Sequence, residues 1–141
     1  MKKNLIIFFS LFIISLISFT SCEPFIENKI TIKNEADGTV WLNLKAKLHE
    51  IAPGDVLVLN DFDRGEYEFE TIYEVPFGVT SSSTEGEVAG TMNLIGGTEI
   101  FLIYTSTVSV SGSNSTYTLF GSMTSSDDVN RINPFDNGEG Q

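Results

Sequence analysis

Apolar and polar residues alternate along most of the chain after residue 28. Two early runs, residues 29–33 and 39–45, carry isoleucine, valine or leucine at every second position. A period of two is typical of β-strands with one buried face. Between the runs, residues 34–38 have the composition Asn-Glu-Ala-Asp-Gly, which favours a turn. The pattern therefore predicts two strands, and it favours a hairpin between them.

The clearest alternation covers residues 66–75. Tyr67, Phe69 and Tyr73 occupy positions of one parity. The other parity is acidic, with Ile72 as its apolar exception, and its glutamates are Glu66, Glu68, Glu70 and Glu74. This pattern predicts a strand with one buried face and one acidic face in water.

Further short segments complete the pattern. Residues 56–59 form a continuous apolar run, which we expect to be covered on both faces. Three more strands are predicted for residues 87–94, 99–107 and 117–123, whereas the Ser-rich residues 76–86 predict a mobile loop. About seven short strands with frequent turns predict an all-β fold, an antiparallel β-sandwich.

The predicted sandwich, residues 29–124, resembles immunoglobulin-like and PEGA-like extracytoplasmic modules in its strand number and turn spacing. The Cys…Trp…Cys pattern of true immunoglobulin domains is missing. The resemblance implies an architecture and no particular function. Beyond the sandwich, the acidic residues 125–141 are predicted to be a disordered tail.

The first residues have the features of an export signal. Lys2 and Lys3 precede an apolar run over residues 5–19, and small polar residues lead to Cys22. This order predicts a secretory signal peptide. The run has 15 positions, whereas a helix that crosses a bilayer needs about 20. A permanent transmembrane anchor is therefore the weaker interpretation.

Residues 19–22, Phe-Thr-Ser-Cys, resemble the lipobox of bacterial lipoproteins, in the looser form associated with Bacteroidetes. The resemblance implies cleavage before Cys22, loss of residues 1–21 and acylation of the Cys22 sulfur, for example with palmitate. Residues 22–28 would then form a tether to a membrane. The outer membrane is the expected one, and the domain would lie outside the cytoplasm. The alternative is cleavage by an ordinary signal peptidase, which leaves a free thiol.

Charge and cysteine content narrow the classes of partner. The formal net charge is −11, and loss of Lys2 and Lys3 makes it −13. Such an excess argues against nucleic acid as a partner and against electrostatic binding to anionic lipid. Cys22 is the only cysteine, so the domain has to fold without an internal disulfide.

The sequence supplies little for catalysis. His49 is the only histidine, and no Gly-x-Ser-x-Gly turn or set of zinc ligands accompanies it. Asp61 and Asp63, followed by Gly65, faintly resemble the start of a calcium loop, but Ile72 stands where that loop needs its closing glutamate. A turn capped by the two aspartates explains the same residues. No cofactor other than calcium is indicated.

Trp41 has the parity opposite to its apolar neighbours, so it is expected on the outer face of its strand. An exposed aromatic side chain on a sheet can bind a sugar or a protein, although packing under a loop is the commoner reason for one. The overall expectation is a lipid-anchored, non-catalytic binding or structural protein of the cell envelope, with a protein or glycan partner. A calcium-dependent binding domain and, less favoured, a small envelope hydrolase using acidic residues are the alternatives.

Overall fold

The computed structural model describes residues 27–131. They form nine strands and one short helix: β1 (Asn28–Asn34), β2 (Val40–Leu44), β3 (Lys47–Ile51), β4 (Val56–Phe62), β5 (Gly65–Tyr73), β6 (Ser81–Gly86), β7 (Ala89–Leu94), β8 (Glu99–Ser111), β9 (Asn114–Ser125) and α1 (Ser126–Arg131). The predicted signal peptide, Cys22 and most of the predicted tether lie outside the described residues, as do residues 132–141. Among the described residues, no helix has the length and hydrophobicity that a bilayer crossing requires.

Two sheets pack face to face. One has five strands in the order β4-β1-β8-β9-β6, and the other has four in the order β3-β2-β5-β7. Neighbouring strands are antiparallel except for the pairs β1–β8 and β6–β9, which are parallel. The predicted all-β sandwich is therefore confirmed, with nine strands instead of about seven.

The core lies between the inner faces of the two sheets and takes alternate residues from most strands. Its buried hydrophobic side chains are Ile30, Ile32, Ala36, Val40, Leu42, Leu44, Ile51, Phe69, Met92, Leu94, Ile100, Leu102, Tyr104, Tyr117 and Leu119. Two buried asparagines bond loop backbone around this core. Asn34 donates to the Gly38 and Ile51 carbonyls and accepts from the Ala36 amide.

The predicted hairpin between the first two strands is wrong. β1 pairs with β4 and β8 in one sheet, whereas β2 pairs with β3 and β5 in the other. Both strands bury one face in the same core, so alternation alone fits a hairpin and a change of sheet equally well. The turn at residues 34–38 is where the chain crosses between the sheets.

Three strand assignments also differ from the prediction. β3 was not predicted, since residues 47–50 are largely exposed on an edge strand. The apolar run in β4 is not covered on both faces, because Val56 and Val58 are 54% and 48% exposed at the edge of the five-stranded sheet. Part of the predicted mobile loop forms β6, whose exposed serines pair with β9 through backbone and hydroxyl groups.

The register defines two ends of the sandwich. Lys29 pairs with Glu99, and Ile100 pairs with Ser125. The start of β1, the start of β8 and the end of β9 therefore lie together at one end, here called the proximal end. The turn between β8 and β9 lies at the other end, called the distal end. Asn28 belongs to β1 and not to a tether, and it bonds the Phe62 carbonyl and the Thr98 amide.

The last described residues extend the domain slightly. β9 continues to Ser125, and α1 begins at Ser126, where the sequence predicted a tail. Asp127 of α1 accepts a hydrogen bond of 2.7 Å from the Thr98 hydroxyl, which fastens this helix to the proximal end. The rest of the predicted tail lies outside the described residues.

Candidate functional site

Trp41 lies on the outer face of the four-stranded sheet, as its parity predicted. It stands between Glu50 of β3 and Ile72 of β5, and Ile72 is 52% exposed. Trp41 itself is half-buried, because these cross-strand neighbours cover its flanks. We call this surface the Trp41 face, which consists of Trp41, Asn43, Leu48, Glu50, Glu70 and Ile72. It combines an indole ring with apolar, amide and carboxylate groups.

The Trp41 face continues toward the proximal end as an acidic groove. Glu66, Glu68 and Glu70 of β5 are exposed along it, as the alternation predicted. The groove has a volume of about 490 Å³, and its opposite wall is Asn43 with the β2–β3 turn at Lys45 and Ala46. The Lys45 ammonium lies 5.1 Å from the Phe62 ring centroid and 5.2 Å from that of Tyr67.

Asp61 and Asp63 lie at the proximal end but do not share one loop. Asp61 belongs to β4 and has a φ of 64°, whereas Asp63 is in the turn that follows. Within residues 27–131, no three His, Cys, Asp or Glu side chains come together in a way that could hold a metal ion. The calcium hypothesis therefore gains no ligand set from the described residues.

His49 lies on the edge strand β3, opposite Leu42. Burial and the positive charge of Lys47 lower the pKa of His49 below its usual value. Both effects favour the neutral imidazole over the protonated form. It lines a cleft of about 430 Å³ between β3 and β4, together with Lys47, Val58 and Asp61. This cleft lies at the side of the sandwich, between an edge strand of one sheet and an edge strand of the other.

The distal end carries a second surface that the alternation of apolar and polar residues did not predict. Phe77 is fully exposed at 108%, Val110 is 71% exposed, and Val108 and Val75 are 47% and 40% exposed. We call these four side chains the apolar tip. Val108 and Val110 have the inner parity of β8, so their alternation predicts burial. The opposite sheet covers Tyr117, which pairs with Val108 and stacks on Tyr73 of β5, but it leaves Val108 and Val110 exposed.

Hydrogen bonds tie the two parts of the apolar tip together. Ser115, which pairs with Val110 across the hairpin, donates its hydroxyl to the Gly78 carbonyl at 3.1 Å. Thr80 donates to the Ser115 carbonyl through both its amide and its hydroxyl, at 3.0 and 2.7 Å. The loop that carries Phe77 is therefore held against the hairpin.

No family model matches the chain, and no curated protein matches it in sequence. A β-sandwich supports many unrelated functions, so the fold alone does not assign one. The indications of function therefore come from the Trp41 face, the apolar tip and the positions of the proximal and distal ends.

Proposed function

We propose that the protein is a non-catalytic binding module of the cell envelope, held to a membrane by fatty acyl chains on Cys22. The observation that carries the proposal is the position of Asn28 at the proximal end, where β1 begins. Cys22 precedes Asn28 by six residues, a reach of at most about 20 Å. A lipid on Cys22 would therefore hold the proximal end near the bilayer and direct the distal end away from it.

The acidic residues favour binding over catalysis. The general acid of a glycosidase pair needs a setting that favours its protonated form, such as an enclosed apolar pocket. The glutamates of β5 are instead exposed on an open sheet face. His49 is on the side of the sandwich, in β3, away from that face. These positions support a recognition surface more than an active site.

The Trp41 face is the surface where we place partner binding. A sugar ring or an apolar side chain can stack on the indole ring, and Asn43, Glu50 and Glu70 can accept or donate hydrogen bonds around it. The carboxylates would disfavour anionic partners and suit a neutral or basic glycan or protein. The partner proposed is therefore an envelope glycan or protein without strong negative charge.

The anchor is tested by mass spectrometry of the protein isolated from bacterial membranes. We expect a mature N-terminus at Cys22 that carries acyl chains, and we expect Ser21→Ala to be processed in the same way because alanine is also small. Cys22→Ser should lose both acylation and cleavage at this position. A wild-type N-terminus without acyl chains would refute the anchor.

The binding surface is tested on glycan arrays and by crosslinking in the envelope. Trp41→Ala should lower partner binding about tenfold or more, since central aromatic residues contribute most to such surfaces. Phe101→Ala is the matched control, because Phe101 is a 45% exposed aromatic on the outer face of the other sheet. Equal binding by the wild type and Trp41→Ala would exclude the Trp41 face.

A further inference from the structure

The apolar tip is unusual because it lies in a part of an acidic protein that has no charge. No charged residue occurs between Glu99 and Asp127, or between Glu74 and Glu85. Those two segments supply the β8–β9 hairpin and the Phe77 loop, which form the distal end. Carboxylates lie at the base of the tip, where Asp37 accepts a hydrogen bond from the Ser106 hydroxyl and Glu74 accepts one from the Thr39 amide. Among residues 27–131, every charged side chain therefore lies outside these two segments.

Three hydroxyl groups at the junction of the Phe77 loop with the hairpin bond to other groups of the tip. Ser115, Thr80 and Ser81 bond each other, nearby carbonyls or Thr116. Hydroxyls that already have partners enter a less polar medium at a lower free-energy cost than free ones. At this junction, the tip thus presents apolar side chains beside hydroxyl groups that already have partners.

The composition of the tip fits a lipid surface better than a protein. Protein-binding sites are enriched in tyrosine, tryptophan, phenylalanine, methionine and arginine and have a polar rim, and of these residues the tip has only Phe77. The tip exposes phenylalanine and valine on a projecting hairpin and loop, without arginine or lysine. Phe77 is fully exposed among residues 27–131, so none of these residues forms a socket around it. Projecting apolar groups of this kind can enter the boundary between headgroups and acyl chains.

We propose that the apolar tip inserts into the interface of an uncharged, zwitterionic lipid bilayer. Phe77 and Val110 enter deepest, with Val75 and Val108 beside them. The carboxylates at the base of the tip limit the depth of insertion, and the acidic body makes an anionic bilayer unfavourable. Where Cys22 is acylated as proposed above, the tip faces away from that membrane. β8 has 13 residues, so the tip would meet a second bilayer about 40 Å further out.

The test uses the chain from residue 22 onward with Cys22→Ser, so that its outcome does not depend on acylation. The protein is floated with phosphatidylcholine vesicles in a density gradient. We expect the protein with the unchanged tip to float with the vesicles. We expect Phe77→Ser combined with Val110→Ser to lower vesicle binding about tenfold or more. Phe101→Ser is the matched control and should float as the parent does. Circular dichroism checks that each variant is folded.

Two further readouts follow from the same proposal. Replacing part of the phosphatidylcholine with phosphatidylglycerol should weaken binding, and added salt should restore it by screening the repulsion. In a Trp41→Phe, Phe77→Trp variant, the single tryptophan should shift its emission to the blue when phosphatidylcholine vesicles are added. The proposal would be overturned if the protein with the unchanged tip stayed at the bottom of the gradient. It would also be overturned if the double serine variant floated as well as the parent protein. Capture of a protein by the tip without vesicle binding would also overturn it.

Discussion

At the scale of single residues, two buried tyrosines differ in the partners of their hydroxyl groups. The Tyr104 hydroxyl and the Thr71 hydroxyl are 2.6 Å apart and share a hydrogen bond. The Tyr117 hydroxyl is buried and has no partner among the described residues. A buried hydroxyl without a hydrogen bond loses its hydration and gains nothing in return. The pair therefore offers a matched comparison in one core.

We expect Tyr104→Phe to lower the free energy of unfolding by about 1 kcal/mol, because Thr71 loses its partner. Tyr117→Phe should leave the stability unchanged or raise it by up to about 1 kcal/mol, because it removes a desolvated hydroxyl. Urea denaturation of both variants measures the difference. A larger loss in Tyr117→Phe than in Tyr104→Phe would contradict this account of the core.

The same tyrosine predicts an alkaline limit to stability. Burial raises the pKa of Tyr104 from 10.0 to about 12, although the hydrogen bond with Thr71 acts in the opposite direction. The unfolded chain therefore releases this proton at lower pH than the folded chain does. The contribution of protonated Tyr104 to the free energy of unfolding is fully present below pH 10. It is lost as the pH rises from 10 toward 12, which lowers the free energy of unfolding by roughly 2 to 3 kcal/mol.

Urea denaturation between about pH 8 and pH 11.5 tests this dependence. In Tyr104→Phe, the fall in stability above pH 10 should be shallower than in the wild type. Tyr67→Phe is the control, because Tyr67 is only half-buried and its hydroxyl is exposed. Identical pH profiles for Tyr104→Phe and the wild type would show that Tyr104 does not set the alkaline limit.

Some site residues could be predicted from the sequence and others could not. The parity of Trp41 against Val40 and Leu42 determined its outer face, because alternation assigns faces within one strand. The apolar tip could not be found in this way. Val108 continues the inner parity of Leu102 and Tyr104, and its exposure depends on how far the cover of the opposite sheet extends from Tyr117 toward β8. A single sequence contains no signal for that distance.

At the scale of elements, the β2–β3 turn shows a conflict between residue type and backbone conformation. Lys45 and Ala46 form a two-residue turn with φ angles of 54° and 57°. This geometry favours Asn-Gly and is unfavourable for residues with a Cβ. The absence of a turn signal in the sequence explains why β3 was not predicted, although its pairing with β2 is regular.

Replacing Ala46 with glycine should stabilise the protein. Glycine adopts the left-handed conformation without the steric cost of a Cβ, which raises the free energy of unfolding by about 1 to 2 kcal/mol. The greater freedom of glycine in the unfolded chain lowers the free energy of unfolding by about 0.5 to 1 kcal/mol. We expect a net gain of about 0.5 to 1 kcal/mol, measured by urea denaturation. Lys45 is left unchanged because its ammonium lies over two aromatic rings.

Gly112→Ala is the opposite control for this prediction. Gly112 lies in the β8–β9 turn with a φ of 63°, and an added Cβ there meets nothing within 4 Å. The alanine should therefore lower stability through backbone conformation alone, by a similar amount. If Ala46→Gly and Gly112→Ala changed stability in the same direction, the left-handed conformation would not be the cause.

The elements differ in how well their sequences predict them. In β5 the alternation of aromatic residues with glutamates is strong enough to identify both the strand and its faces. β6 consists of Ser-Ser-Ser-Thr-Glu-Gly and has no buried face, so no hydrophobic period marks it. Pairing with β9 makes it a strand, through bonds such as that between Ser83 and Thr118. Edge strands held by pairing alone escape any argument from periodicity.

At the scale of the whole molecule, the path of the chain makes the two sheets depend on each other. Only the β2–β3 and β8–β9 connections stay within one sheet, and the other six connections between consecutive strands change sheet. Neither sheet is therefore made from a continuous part of the described chain. Removing one sheet would also expose the inner face of the other, including Ile32 and Leu102. The described domain should behave as one cooperative unit.

This prediction can be tested with one fluorescent reporter in each sheet. Trp41, the only tryptophan, reports the four-stranded sheet. A Trp41→Phe, Phe101→Trp variant moves the reporter to the outer face of the five-stranded sheet, at a position that is 45% exposed. In each protein, we expect the fluorescence and far-ultraviolet circular dichroism transitions in urea to coincide, because the strands of both sheets unfold together. A fluorescence midpoint below the circular dichroism midpoint in only one protein would show that this sheet unfolds first. That result would contradict the cooperativity inferred from the six crossings.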